Sequence, residues 1–321
     1  MTTAKMVREW AAELGFIACG VTTPAPSERA AFFDEWLARG YGGTMRYLNR
    51  QARRRKDPQL IDPEARSIIV VLDNYYYRAT GSADPHPPAA AAGTSTPLRI
   101  AKYAHGKDYH DVIGRRLEVL AERLVAGGAG HARVYADAGP VPERELAARA
   151  GLGWIGKNTM LVRPGVGSFF FIGSIFTDLE LQADAPFTMD HCGSCTRCLD
   201  ACPTDAFVAP RVLDATRCIS YLTIEQKGPI PDALEPHLDG WAFGCDVCND
   251  VCPWNLKFAE ETAVPEYLPG SAEPIAADTF DALDETAFDA RFRGTPFSRP
   301  GLAGMRRNVR AAARSRRVGS A

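Results

Sequence analysis

Eight of the nine cysteines lie between Cys192 and Cys252, and their spacing is what could do chemistry. The stretch HCGSCTRCLDACP, residues 191–203, sets Cys192, Cys195, Cys198 and Cys202 at C-x2-C-x2-C-x3-C, followed by Pro203. A 4Fe–4S cubane needs four thiolates. Such a loop can wrap a cluster with three of them, while the fourth, after x3, points away to a second cluster. A second set should then follow: GCDVCNDVCPW supplies Cys245, Cys248, Cys252 and Pro253, and RCISY supplies Cys218. Crossing the fourth ligands gives one cluster on Cys192, Cys195, Cys198 and Cys252, and another on Cys202, Cys218, Cys245 and Cys248, with none of the eight left over. Structural zinc competes for paired C-x2-C ligands. Zinc ribbons do not require two C-x3-C-P endings, and these favour iron and sulfur. Clusters carry single electrons and do little carbon chemistry themselves. Two of them joined to a larger domain therefore read as a wire feeding an active site in that domain.

The elements ahead of the cysteines must supply that site. Thr3 can cap a helix whose Met6, Val7, Trp10, Ala11 and Leu14 share a face, with Gly15 ending it. FIACGV reads as a strand, with Cys19 a small core residue. A helix is expected over about 28–39 with Phe33, Trp36 and Leu37 inward. SIIVVLDNYYY reads as a strand covered on both faces. Residues 79–97, rich in Ala, Pro, Gly, Ser and Thr, form a flexible excursion. A helix over about 108–126, the strand HARVYAD, a helix over 142–150 stopped by Gly151, and the strand SFFFIGSIF complete a layered α/β domain.

Composition excludes several classes. With 321 residues, 46% hydrophobic and 24% charged, the chain buries a sizeable core, so disorder is a poor reading. A net charge of −2 gives no global attraction to polyanions, and a nucleic-acid surface would have to be local. The N-terminus lacks the apolar core of a signal peptide, and the longest apolar run, FFFIGSIF, is too short to span a bilayer. The expectation is a cytoplasmic protein with reduced thiols and no membrane association.

DAGPVPERELAARAGLGWIGKNTMLV from Asp137, then GSFFFIGSIFTDLEL, the cysteine loop, RCISYLTIEQKGPIP and GCDVCNDVCPWN closely resemble the epoxyqueuosine reductase family. YAHGKDYHDVI and RRRKDPQLIDPEARSIIVV fit as well, so the resemblance covers roughly residues 5–310. It implies a cobalamin-dependent enzyme with two 4Fe–4S clusters that converts epoxyqueuosine at the tRNA wobble position to queuosine, and kinship with reductive dehalogenases. Cobalamin itself is not deducible from the residues, because no D-x-H-x-x-G box offers a histidine to cobalt. On the resemblance, Asp137 is the proton donor and a cofactor contact. Arg55, Asn158, Leu161, Ile172 and Ser220 are further cobalamin-binding positions, Leu161 and Ile172 through main chain. Read without it, Asp137 caps the turn before PVPER, and Leu161 and Ile172 are strand core. The glycines of GLGWIGKN would admit a flat ligand, with Lys157 and Asn158 donating to it. Glu143 and Arg144 make a salt bridge or cap the helix start. Tyr109 and His110 either face the pocket or serve packing.

A tRNA substrate needs basic surface. Arg53, Arg54, Arg55 and Lys56 form one cluster, Lys227 lies between the cysteine sets, and nine arginines with no acid follow from Arg291 to the end. That tail resembles only the beginning of the tRNA-holding helical repeats of longer family members, and Arg306 and Arg307 are its expected tRNA contacts. The fold expectation is an α/β cobalamin-binding catalytic domain over 1–180, a ferredoxin-like α+β two-cluster domain over 181–260, and a C-terminal wrap with a basic tail over 261–321. The expected partners are tRNA and an unidentified low-potential electron donor, with the chain a monomer. The alternatives are a cobalamin-dependent reductive dehalogenase of a small molecule, favouring an export signal and no arginine tail, and a ferredoxin-type carrier, which would not need 180 residues ahead of its clusters.

Overall fold

A computed structural model describes residues 2–78, 98–269 and 280–318; the expected excursion at 79–97 lies outside the described residues. The apolar run in SIIVVLDN becomes the central strand Ser67–Asn74 of a four-stranded sheet. Ala18–Thr22 flanks it on one side and Phe170–Thr177 on the other, with Ala132–Tyr135 outermost. Alternation along the central strand explains why it has no polar face. Ile69 and Val71 pack with Val7, Ala11, Ile113, Leu117 and Leu120 from the helices Ala4–Glu13 and Tyr109–Ala126. Ile68, Val70 and Leu72 meet Leu146, Ala147, Leu152 and Leu161 on the opposite face.

The layers are those expected, but every pair in this sheet is antiparallel. Helices and strands alternate in sequence without building parallel crossover units, and the parallel pair present is the short Arg99–Ile100 with Trp241–Phe243. The central strand stops at Asn74, short of the tyrosines, because the Asn74 side chain accepts from Tyr76 N at 2.9 Å and turns the chain. Thr3 caps the first helix, accepting from Met6 N at 3.3 Å, while Met6 itself stays 36% exposed. The second helix, Ala30–Ala38, is only half-buried on the Phe33 and Trp36 side, and Trp36 Nε1 donates to Leu213 O at 2.6 Å. Cys19 packs at the edge of the core, where burial pushes its thiol up to about 12.

The two cysteine loops are built alike. Each runs into a one-turn helix, Arg197–Asp200 or Val247–Asp250, that carries one of its cysteines and ends just before the C-P pair. A buried polar network welds the second loop to the sheet domain. Ser168 N donates to Asn255 Oδ1 at 2.6 Å, and Asn255 Nδ2 donates to Ser168 Oγ and Asn249 O, each at 2.8 Å. Ser168 Oγ donates to Asn249 Oδ1 at 3.1 Å. Asn158 Nδ2 donates to Cys248 O at 3.2 Å. Gly167, at φ +96°, lies so close that a Cβ there would sit 2.1 Å from Asn255 Oδ1.

The C-terminal segment divides its contacts. Thr262 N donates to Tyr76 O at 2.7 Å, and the Tyr267 hydroxyl reaches buried Asp73 beside Arg116, tying this stretch to the sheet domain. Phe280, Phe288, Phe292, Phe297, Met305 and Val309 instead pack with Ile100, Ala242 and Phe243. The basic tail is a helix, Gly301–Val318, and it corrects the reading of its arginines. Arg307 donates to Gln226 O at 2.8 Å, Gly228 O at 2.6 Å and Leu222 O at 2.9 Å, and Arg306 donates to Phe280 O at 3.0 Å. Arg310 pairs with Asp281 and Arg314 with Glu235, each at 2.6 Å. The Arg306 and Arg307 guanidiniums are thus engaged by backbone carbonyls, whereas Arg310 and Arg314 stay exposed beside their carboxylates. Among the described residues, no helix is long and apolar enough to cross a membrane.

Removing one member of a buried amide network strands its partners. Asn255→Ala should lower stability by about 2–4 kcal/mol, read as a lower thermal midpoint of the anaerobic protein. An unchanged midpoint would place the weight of this joint elsewhere.

Candidate active site

The turn after the strand Ala132–Tyr135 carries Asp137 at φ +53°, a left-handed conformation that costs a non-glycine residue about 1 kcal/mol. Two contacts hold it there. Asp137 N donates to Glu143 Oε1 at 2.6 Å, and Arg55 donates to Gly139 O at 3.0 Å, pinning the far side of the turn. Glu143 opens the helix Glu143–Arg149, whose start has no side-chain cap; its side chain reaches back to the turn instead, so the expected helix cap does not form. Arg144 donates to Thr159 O at 2.7 Å.

The Asp137 side chain is 63% exposed. The Tyr109 hydroxyl donates to its Oδ2, and His110 Nε2 stands 3.8 Å from the same oxygen. Beside it, the half-buried carboxyl of Glu143 is pushed up to about 8 by desolvation and by the neighbouring Asp137 carboxylate. His110 is raised by its 2.7 Å contact with Asp108. Tyr109 lies stacked on Phe171 with centroids 4.3 Å apart, and Tyr103 bridges the distance from Tyr109 to Phe243, just ahead of Cys245.

Three features suit a large, amide-bearing ligand beside Asp137. Arg55 Nε is buried with no protein partner. The short helix Ala52–Lys56 turns Arg55 inward and leaves Arg53 and Arg54 exposed. The strand Ala132–Tyr135 ends its pairing at Tyr135↔Ser174, so beyond it one edge of Phe170–Gly173, which includes Ile172, runs past the last register pair. The clefts of about 600 and 730 Å³ open elsewhere, around Thr23–Pro26 and Glu64–Arg66, and share none of these residues.

GLGWIGKN takes a different part from the one expected. Lys157 Nζ donates to Gly193 O at 2.7 Å and Cys195 O at 2.9 Å, and Asn158 is buried against the second cysteine loop. Both expected ligand donors are thus committed to the cysteine loops. Leu161 is buried in the hairpin of Trp154–Ile155 with Leu161–Val162. Ser220 hydrogen-bonds Cys218, lowering that thiol against the larger effect of burial.

The thiols fall into two neighbourhoods. Burial pushes Cys198 up to about 11, with further contributions from Cys252, Cys192 and Cys195. Cys252 is raised by burial and, among thiols, by Cys192 and Cys195. Cys245, raised well above its ordinary value by burial, also feels Cys248 and Cys218, and Cys248 feels Cys218, then Cys202 and, from the other set, Cys198. Thiols that oppose one another's ionisation can ionise together only around cations. Sequence reasoning missed the roles of Trp154, Ser168, Asn249 and Asn255 and the reach of Glu143 back to Asp137 N; only the nearness of Asn249 and Asn255 to the cysteines was a signal.

A family model described as 4Fe-4S double cluster binding domain matches residues 191–255, and one described as Epoxyqueuosine reductase QueG, DUF1730, matches 55–138. The chain is 41% identical over 308 residues to an epoxyqueuosine reductase of Leadbetterella byssophila, covering 95% of this chain and 97% of that one. It is 41% identical over 309 residues to an epoxyqueuosine reductase of Xanthomonas campestris, with 95% and 85% covered. Among solved structures, an epoxyqueuosine reductase with an epoxyqueuosine-modified tRNA-Tyr stem loop superposes with TM-score 0.84 at 31% identity, covering 98% of this chain and 82% of that one. The epoxyqueuosine reductase from Bacillus subtilis, with its catalytic aspartate loop swung out of the active site, gives 0.82 at 29%, with the same coverage.

The Glu143 carboxyl carries a prediction. The folded chain keeps it protonated to about 8, against an ordinary 4.5, so between those values the folded state binds more protons than the unfolded one. Its contribution to stability is complete below that window and is lost as pH rises through it. Glu143→Gln keeps an acceptor for Asp137 N and cannot ionise. At alkaline pH it should be more stable than the parent by on the order of 1–3 kcal/mol, and a melting-temperature profile parallel to the parent's would overturn the assignment.

Proposed function

This chain belongs to the epoxyqueuosine reductase family, and we propose that Asp137 is the group through which it protonates the epoxide oxygen. The reaction is a two-electron reduction: two electrons and two protons enter, the C–O bonds of the epoxide break, water leaves and the alkene of queuosine forms. The cofactors are two 4Fe–4S clusters and cobalamin. Cobalamin, when bound, supplies a strongly nucleophilic reducing centre, and the clusters deliver electrons to it singly.

The observation that carries this reading is the Asp137 carboxyl itself, exposed and met by the Tyr109 hydroxyl, on a turn whose backbone N–H at Asp137 is held by Glu143. With Oδ2 accepting from the Tyr109 hydroxyl, Oδ1 is the oxygen left to pass a proton to the substrate. Protonated Glu143 fixes the turn without adding a negative charge beside it, and His110 faces the same carboxyl with its Nε2 3.8 Å from Oδ2. Arg55, through its unpartnered Nε, and the Ile172 edge would hold the corrinoid, with Leu161 and Ser220 further candidate contacts and Asn158 supporting it from the cysteine loop. The cluster partition adopted is Cys192, Cys195, Cys198 and Cys252 against Cys202, Cys218, Cys245 and Cys248; the mutual influence of Cys252 with Cys192, Cys195 and Cys198 supports the crossing.

The substrate is a tRNA bearing epoxyqueuosine at the wobble position. Arg46, Arg50, Arg53 and Arg54 are exposed on the two short helices whose Arg55 turns to the site, and they make a better phosphate contact than the arginines of the last helix. We divide the chain at about residues 180 and 260, supported by the change from sheet to cysteine loops. The protein acts as a cytoplasmic monomer fed by a low-potential one-electron donor.

Asp137→Asn preserves shape and cannot supply the proton. Clusters and cobalamin should load normally while single turnover of pre-reduced protein with saturating tRNA falls about 10²–10⁴-fold; near-parental turnover would demote Asp137 to a structural turn. Cys252→Ala should disturb the cluster begun at Cys192 and leave most of the other. Selective loss of the cluster held by Cys245 and Cys248 would reverse the crossing.

A further inference from the structure

Among the described residues, one side-chain N–H points at a cluster thiol. Trp154 Nε1 lies 3.4 Å from Cys192 Sγ. Three residues on, Lys157 Nζ holds the same loop through the carbonyls of Gly193 and Cys195. Neither side chain belongs to the cysteine domain; both come from the hairpin of the sheet domain.

We propose that Trp154 and Lys157 set the reduction potential of the cluster on Cys192, making it accept an electron more readily than its four cysteines alone would. This rests on the two-cluster reading above. Reduction adds one electron to the cluster, with no bond made and no proton taken up, so the couple is set by how well the surroundings stabilise one more negative charge. Hydrogen bonds to the sulfurs and exclusion of solvent are two of the levers that set such potentials. An indole N–H on a ligand sulfur and an ammonium against the loop both favour the reduced form. Asp190, on the same loop, does not oppose them, because Arg211 pairs with it at 2.5 Å.

The indole cannot easily turn away. Trp154 is 4% exposed and meets Trp254 edge-on at 5.1 Å and Phe187 in a stack at 5.8 Å. Arg211 fixes the hairpin from outside, with its Nε on Ile155 O at 3.0 Å and its backbone N on Lys157 O at 2.9 Å. Water therefore cannot replace the lost donor in a variant. The second set is met differently: Cys202 Sγ accepts from Ala206 N at 3.3 Å and lies 3.7 Å from the Thr204 hydroxyl, contacts that neither Trp154 nor Lys157 makes.

The test is a redox titration of the reconstituted full chain, followed by electron paramagnetic resonance, without substrate. Trp154→Phe keeps the ring and deletes the N–H. At a fixed poise the reduced-to-oxidised ratio of the first cluster should fall about tenfold, which for one electron is 59 mV more negative, and the second cluster should not move. Lys157→Gln should shift the same cluster in the same direction. Trp254→Phe, a ring exchange without that hydrogen bond, should leave it in place. An unmoved first cluster in Trp154→Phe, or equal shifts of both clusters, overturns the proposal. Should Trp154→Phe lose its cluster, the Trp254→Phe protein with ¹⁵N-indole label decides: a ¹⁵N coupling at the reduced first cluster upholds the contact, and its absence refutes it. A parent chain that binds no iron fails the cluster reading instead, an outcome distinct from either.

Discussion

The buried amide joint formed by Asn158, Ser168, Asn249 and Asn255 is the contact on which the rest of the structure depends. Each of these side chains is almost fully removed from water, so each must find its partners inside the protein or leave a polar group stranded. They find them across the boundary between the sheet domain and the second cysteine loop. That boundary is therefore rigid in a way an apolar contact would not be, because amides demand particular directions as well as closeness. The first loop is fixed in the same manner by Lys157 and Trp154. One turn of the sheet domain, Trp154 to Asn158, thus governs where both sets of thiols lie relative to Asp137.

The opposite side of the sheet domain is held more loosely. Asp137 adopts a conformation its side chain disfavours, kept by Glu143 and by Arg55 on Gly139. A carboxyl that must meet a large substrate benefits from a turn that can be displaced, whereas thiols that hold clusters do not. The molecule places backbone strain at the first and dense hydrogen bonding at the second.

The sequence and the structure agree most where spacing alone carries the chemistry. The cysteine pattern, the two-faced central strand and the helix Tyr109–Ala126 were all readable, because thiol count, apolar continuity and a 3.6-residue repeat are local properties. Asp137 was legible only through its resemblance to a known box. What the sequence hid depends on who meets whom. Charge patterning made the arginines of the last helix look available, yet Arg307 faces the carbonyls of Leu222, Gln226 and Gly228. Nothing in the spacing of Asn249, Asn255 and Ser168 announces that they converge. Lys157 and Asn158 stood out as donors, but their acceptors come from residues 36 or more positions away. Glu143 differs from other helix-start glutamates in reaching back to Asp137 N, which its position in the sequence does not announce.

The amide joint also has a consequence for how the protein is made. Asn158 grips the carbonyl of Cys248, so the closed joint and a correctly placed thiol are the same geometric event. Linkage is reciprocal: whatever free energy the closed joint lends to capturing iron and sulfide, the captured cluster returns to the joint. Maturation and folding of this half of the molecule are therefore one equilibrium, and iron supply acts on it as a folding variable.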